Sequence, residues 1–363
     1  MRTNDKIKQI ENEISTTRVN KATEQHVGLL RAKLAKLRNQ SPDKNINSTY
    51  GFDIKRNGDA TVVLIGFPSV GKSTLLNKLT SANSTVGTFQ FTTMTVIPGM
   101  MKYKGAKIQL LDLPGIIKNA STGRGLGKRV ISVARNADLI LLVLDVFQPF
   151  HQHILQNELE KIGIRLNQKP PNIKVEKTRE GGIVINTQTS FHNMSIKLLK
   201  EILHVNKINN ARVVIKDDIN AKQFIDYING NVIYIKSLLV INKIDLVNKK
   251  FLEQLELDKF NSIKISAESG HNINLLQQKI YEDLDLIRIY MKPKGKQVDY
   301  SAPIIMKKKS SVLDVCNKLH KNLRQNFRYG IIHGKSVKFN GQKVGIMHTL
   351  HDEDVLTIIK NKM

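Results

Sequence analysis

The sequence predicts an α/β fold carrying one inserted and two flanking modules. Three observations carry that expectation. A β-branched run at 61–65 turns through a Gly-rich loop into an apolar-periodic helix opening at Ser73. Two further buried-strand runs, 107–111 and 238–241, lead directly into motifs that carry a carboxylate. Between the strand at 139–145 and the strand ending at Asn242 lies far more chain than one crossover helix needs.

The chain has 363 residues, enough for about two or three domains with a sizeable core. Its 57 Lys and Arg against 31 Asp and Glu leave a formal net charge of +26. Such an excess fits a polyanionic partner, because a basic surface attracts phosphate backbones without reading sequence; a proteome-wide basic bias would give the same balance. The lone cysteine, Cys316, excludes an internal disulfide framework and reads as a small core group in a reducing compartment. No signal peptide opens the chain. Its longest apolar stretch, 137–147, is cut by Asp138 and Asp145 and is too short to cross a bilayer. A soluble, cytoplasmic protein without a membrane partner is expected.

At the N-terminus, Ile7, Ile10 and Ile14 recur at helical spacing, as do Leu30, Leu34 and Leu37. The polar, β-branched stretch 16–23 separates them, with Asn20 or Thr23 as the cap. Residues 1–50 thus read as a helical hairpin whose apolar stripes face each other, followed by a linker.

The Gly-rich loop is Gly66-Phe67-Pro68-Ser69-Val70-Gly71-Lys72-Ser73-Thr74, which fits G-x-x-x-x-G-K-[ST]. Gly66 and Gly71 let successive backbone N–H groups converge on phosphate oxygens, and the following helix N-terminus adds partial positive charge there. Lys72 reaches the β- and γ-phosphates, and the Ser73 hydroxyl binds Mg²⁺. The strand at 107–111 runs into Asp112-Leu113-Pro114-Gly115. Asp112 is placed to hold a Mg²⁺-bound water, and the Gly115 amide to meet the γ-phosphate. The strand at 238–241 ends in Asn242-Lys243-Ile244-Asp245. Asp245 offers two oxygens to N1–H and N2–H₂ of guanine, a pairing adenine cannot satisfy. Lys243 lies against the base, Asn242 ties this strand to the phosphate loop, and in Ser266-Ala267 the Ala267 amide contacts the guanine oxygen. Four such elements in order point to GTP rather than ATP.

These motifs, together with Phe91-Thr92-Thr93 and Ile116-Ile117 after Gly115, resemble the Obg-type GTPases. More narrowly, Asn20-Lys21-Ala22-Thr23-Glu24 and the stretch 28–37 are similar to the opening helices of the developmentally regulated GTP-binding protein (Drg) branch. The resemblance covers nearly the whole chain. It implies Thr93 as a second metal ligand beside Ser73, and potassium as an activator, although Ser69 stands where many potassium-using GTPases have Asn. Where many GTPases place a water-orienting Gln, this chain has Ile116. Intrinsic hydrolysis is therefore expected to be slow unless a cation, a partner or another residue completes the site.

The P-loop GTPase domain is then expected at 51–163 and 234–290, interrupted by a small α+β domain at 164–233 that matches an insertion in the Drg branch. His151 and His153 stand at strand spacing but lack a third ligand nearby, so no metal site is expected there. Residues 291–363 resemble a TGS domain, a β-grasp module. Asn340-Gly341 predicts a two-residue hairpin between 336–339 and 342–345, and 312–320 an amphipathic helix. The function expected is hydrolysis of GTP·Mg²⁺ to GDP and phosphate by in-line attack of water, with Lys72, Thr93, Asp112 and Gly115 as the catalytic set. Nucleotide state would order or release 88–95 and 115–129, acting on a ribosome or structured RNA and on an accessory regulatory protein. Two other readings are an RNA- or ribosome-binding factor in which hydrolysis only resets binding, and an ATPase, against which Asp245 argues.

Overall fold

The computed structural model describes residues 3–18, 20, 23–40, 57–80, 89–91, 94–113, 133–187, 194–254, 262–293 and 295–361. Along the chain run α1 (Thr3–Thr16), α2 (Glu24–Gln40), β1 (Ala60–Ile65), α3 (Lys72–Leu79), β2 (Phe89–Phe91), β3 (Met94–Tyr103), β4 (Ala106–Asp112), β5 (Leu139–Asp145) and α4 (His151–Lys161). Next come β6 (Ile164–Leu166), β7 (Ile173–Lys177), β8 (Ile183–Thr187), α5 (Ile196–Val205), β9 (Ala211–Ile215) and α6 (Ala221–Asn229). After β10 (Ile233–Asn242), α7 (Lys249–Gln254), β11 (Ser262–Lys264) and α8 (Ile273–Asp283), the C-terminal part holds β12 (Leu286–Met291), β13 (Asp299–Lys307), α9 (Val312–Leu319), α10 (Lys321–Gln325), β14 (Phe327–His333), β15 (Gln342–Val344) and β16 (Asp354–Lys360). Two compact units result: 1–52 with 159–234, and 53–158 with 235–363.

In the larger unit the main sheet runs β11-β10-β5-β1-β4-β3-β2. β11, β10, β5, β1 and β4 run parallel to one another, and every residue of β1 is buried. Strands covered on both faces read as unbroken apolar runs, which is how 61–65 and 139–144 look in the sequence. The register pairs Leu64 with Asp112 and Asn242 with Asp145, so the polar strand ends gather along one edge of the sheet. Open parallel sheets bind ligands beyond such carboxyl ends. β3 turns back on β4 as an antiparallel hairpin through Lys104 and Gly105, both at positive φ.

The C-terminal sheet runs β13-β12-β16-β14-β15, and α9 covers one face with Val312, Val315 and Cys316. Cys316 is fully buried there, and burial pushes its thiol pKa up. The predicted hairpin between 336–339 and 342–345 is absent, although Asn340-Gly341 do form a turn, with the Gln342 amide on the Phe339 carbonyl at 3.3 Å. β15 pairs instead with β14, across the loop 334–341. Asn340 Oδ1 accepts from the Gly334 amide at 3.1 Å and the Gly341 amide bonds Ile332, so this pair closes a wider loop.

At its β13 side this β-grasp sheet meets the start of β1. Ile305 belongs to the main-sheet core. Lys318 Nζ bonds Asp59 Oδ1 at 2.8 Å and the Ile305 carbonyl at 2.7 Å. Lys307 pairs with Asp138, whose other oxygen accepts from the Thr61 amide at 2.9 Å. A Cβ on Gly105 would come within 2.6 Å of Pro303, which leaves only Gly for that turn.

In the smaller unit, β7-β9-β8 form a sheet, antiparallel between β7 and β9 and parallel between β9 and β8. α5 and α6 cover it with Leu199, Ile202 and Phe224. The helical-hairpin expectation is met in its helices and cap: Asn20 and Thr23 exchange side-chain-to-backbone bonds of 2.9 and 3.0 Å. A second face of α2 packs elsewhere: Ala32, with partly buried Leu29 and Ala35, enters the core of the inserted segment, and Gly28 is so near Leu198 that a Cβ would stand 3.0 Å away. Lys36 caps the end of α5 at the Val205 carbonyl, and Gln25 bonds Glu201 at 2.8 Å.

Arg165 and Asp226 form a buried bidentate pair in this unit, 2.7 Å on each arm. Asp226→Ala would strand the guanidinium and is expected to cost about 3–5 kcal/mol in chemical denaturation, whereas Arg165→Met with Asp226→Leu should recover most of that loss.

Candidate functional site

The site is assembled from the carboxyl ends of β1, β4, β5 and β10. Gly66 follows β1 where a Cβ would strike the Val143 carbonyl at 2.4 Å. The chain then curls through Ser69, at φ +63, and Gly71, at φ +89, into α3. α3 is held by Leu75, Leu76 and Leu79 on the sheet core, which aims its N-terminus at the loop. Pro68, Ser69 and Thr74 lie at the surface or partly so, and Val70 is buried.

Lys72 is buried, with its ammonium on the carbonyls of Gly66 at 3.1 Å and Phe67 at 2.9 Å. Desolvation lowers its pKa, and the nearby Asp112 carboxylate opposes that shift only in part. Asp112 is also buried. Its Oδ2 accepts from Ser73 Oγ at 2.7 Å, while its Oδ1 has no partner among the described residues. A buried orphan carboxylate oxygen beside a hydroxyl is a hard-oxygen pair of the kind that suits Mg²⁺, so the donor set fits that ion.

On the base side, Asn242 links two loops. Its Nδ2 donates to the Val70 carbonyl and its Oδ1 accepts from the Ala267 amide, each at 2.9 Å. Its amide occupies the space over Gly71, where a Cβ would come within 2.4 Å of Nδ2. The tie foreseen from the sequence is present. The Ala267 amide, expected on a guanine oxygen, is engaged by Asn242 in this structure. Ser266 is fully buried, and its hydroxyl accepts from the Ser269 amide at 3.1 Å.

Lys243 adopts φ +67 and its ammonium pairs with Asp145 at 2.7 Å. That turn exposes Asp245, whose carboxylate has no partner among the described residues. Ile244 packs with Val247 and Leu252 against buried Val146 and Ile241, which fixes the loop from below. Leu113 is buried at the end of β4. Thr93, Pro114, Gly115 and Ile116 lie outside the described residues, as does the whole stretch 115–129; of 88–95, residues 89–91 and 94–95 belong to β2 and β3 and the rest lie outside.

Two participants were not read from the sequence. Asp145 holds Lys243, and its position one strand over from Asn242 in the register is the signal that could have found it. His151 stacks on Phe67 of the phosphate loop, ring centroids 4.4 Å apart. Among the described residues no group of three metal-ligating side chains occurs, and no helix is long and apolar enough to cross a membrane.

Three family models match the chain. They describe a 50S ribosome-binding GTPase over residues 61–177, the C-terminal region of the MMR_HSR1 domain over 180–286, and a TGS domain over 287–360. The chain is 48% identical to an uncharacterized GTP-binding protein of Methanocaldococcus jannaschii, covering 98% of this chain and 92% of that one. It is 46% identical to Developmentally-regulated GTP-binding protein 2 of Homo sapiens, over 98% and 99% of the two chains. Guanylate binding protein 128up of Drosophila melanogaster is likewise 46% identical, over 98% of each.

Because burial holds the Lys72 pKa down and a bound phosphate would raise it, triphosphate binding is expected to take up a proton in alkaline buffer. Affinity should then fall as pH rises through the lowered pKa. Calorimetry in buffers of differing ionisation enthalpy would detect the uptake, and Lys72→Ala should abolish it.

Proposed function

The chain belongs to the developmentally regulated GTP-binding proteins and is a GTPase, and on that premise we propose that it is a slow, nucleotide-dependent switch acting in the cytoplasm on ribosomes or structured RNA. The observation that carries the nucleotide chemistry is buried Lys72 beside buried Asp112, which accepts from the Ser73 hydroxyl and keeps one carboxylate oxygen unpaired among the described residues. An ammonium desolvated on carbonyls and a carboxylate half-satisfied are both stabilised by the same ligand, a polyphosphate carrying a divalent cation.

Magnesium, when bound, neutralises charge on the β- and γ-oxygens. Ser73 and Asp112 would hold it, with Thr93 completing the set. Lys72 moves from backbone carbonyls onto phosphate oxygens, and the loop amides between Gly66 and Lys72 cradle the remainder. Gly115 supplies an amide to the γ-phosphate. Asp245 reads the guanine edge; Lys243, steadied by Asp145, lies along the base; Asn242 keeps both halves in register. Ala267 would give its amide to guanine by releasing Asn242. Ile116 offers no polar atom to orient water, so the unassisted rate is slow. Potassium is the activator implied by the family, and the Ser69 hydroxyl is the oxygen that the phosphate loop offers it. A regulatory protein partner is the other means of completing the site.

The ribosomal assignment draws on the net charge of +26 and on the description of the family model matched at 61–177. Its single test is sedimentation with ribosomes in GTP-analogue and GDP states across a salt series. Binding should favour the analogue state and weaken steeply with salt; no binding of either state at low salt would remove the assignment. Base choice has its own test. Asp245→Asn should cost about a hundredfold or more in GTP affinity, measured by nucleotide titration, with Mg²⁺-phosphate contacts left in place.

A further inference from the structure

We propose that the outer face of the β-grasp sheet at β14 and β15, with the loop joining them, binds an unpaired stretch of RNA, its bases laid on Phe339 and Tyr329. This rests on the reading that the partner is RNA, and adds the surface and the state of the strand. One face of the sheet is taken: Ile332, Val344 and Leu356 pack on the α9 core. Alternation sends Tyr329, Ile331 and His333 to the opposite face, with Lys343 paired across from Ile331. Toward β13 that face is covered, since Ile305 joins the main-sheet core. Along β14 and β15 it is open: Tyr329 and Ile331 are partly exposed and Lys343 is exposed.

Cations lie over the aromatic ring, where a base laid on Tyr329 would take their place as they turn to phosphates. Lys343 Nζ stands 5.1 Å and Arg328 Cζ 5.8 Å from the Tyr329 centroid. Phe339, 64% exposed, sits on the joining loop. The end of that loop adjoins this face, since a Cβ on Gly341 would lie 3.7 Å from His333 Nε2, while Val337 earlier in it packs on the α9 core. The charge here has one sign. No Asp or Glu occurs between Asp314 and Asp352, while Arg328, Lys335, Lys338 and Lys343 all fall in that interval. Among the described residues none of these four has a carboxylate partner. The carboxylates that follow are engaged elsewhere: Asp352 and Glu353 on Arg288, and buried Asp354 on the amides of Ser336 and His351.

The combination selects a ligand. Paired, stacked bases would use the cations and gain nothing from an exposed ring. An acidic polypeptide would meet the cations but has no flat face for Phe339. An unstacked nucleotide strand satisfies both, phosphates on Lys and Arg and bases on the rings.

The test is fluorescence anisotropy of the full chain with a labelled, mixed-sequence RNA of about ten nucleotides, beside its duplex and a polyglutamate competitor. The single strand should bind more tightly than the duplex. Phe339→Ala, at an exposed position whose folding is checked by thermal melting, should weaken the single strand about tenfold or more and leave the duplex unchanged. Lys338→Ala and Lys343→Ala should each lower the salt slope by about one. Equal affinity for both RNAs, an inert Phe339→Ala, or polyglutamate competing as well as RNA would overturn the proposal, the last marking an acidic-protein surface. If ribosomes still co-sediment while the single strand does not bind, this surface falls and the broader reading stands; if neither binds, both fall.

Discussion

One side-chain amide holds the site together. Asn242 donates to the loop before Gly71 and accepts from the loop at Ala267, so two segments far apart in sequence share one hydrogen-bonded bridge. The bridge is buried, where an unmet amide donor or acceptor costs about 1–3 kcal/mol, so neither arm is free to drift. It also explains a sequence constraint. Gly71 must lack a side chain because of its left-handed backbone and because the Asn242 amide fills the space a Cβ would take.

Around that bridge the pocket is electrostatically incomplete by construction. Lys72 is drawn out of water onto two carbonyls, which solvate it less well than phosphate oxygens would, and its pKa falls accordingly. Asp112 leaves one oxygen unmatched a short distance away. A protein tolerates such groups where a ligand of matching charge relieves them, and strain at Ser69 and Lys243, both at positive φ, sits on the same two loops. Strain, burial and missing partners thus converge on the edge where β1, β4 and β10 end.

Much of this was legible in the sequence because it is local. The apolar runs of β1 and β5, the Gly–Lys–Ser loop and the Asn-Lys-Ile-Asp turn each announce themselves within a few residues. What escaped depends on contacts between distant segments. Asp145 looks like any strand end until the register sets it beside Asn242. A second face of α2, formed by Leu29, Ala32 and Ala35, enters the core at Leu198 and Ile202, and the periodicity of Leu30, Leu34 and Leu37 gives no sign of it. Asn340-Gly341 carries a strong short-turn signal, yet β15 is only three residues long and finds its partner in β14, so the pair closes a longer loop. Turn chemistry states a backbone preference, and strand pairing decides where it is used.

The β-grasp sheet meets β1 at the end opposite the phosphate loop. Lys318 and Lys307 pin it to Asp59 and Asp138, the latter also bonded to the Thr61 amide. Each exposed arm of such pairs contributes little alone, but Ile305 in the main-sheet core and the close Pro303–Gly105 approach add packing that a swinging module could not keep. A tether at this edge fixes the module to the strand whose far end bears Gly66. A change of phosphate state at Gly66 therefore need not move the basic face of β14 and β15 at all. On the reading proposed above, the sheet would act as a fixed anchor on RNA while the loops at the opposite edge respond to nucleotide, with recognition and switching at the two ends of one strand.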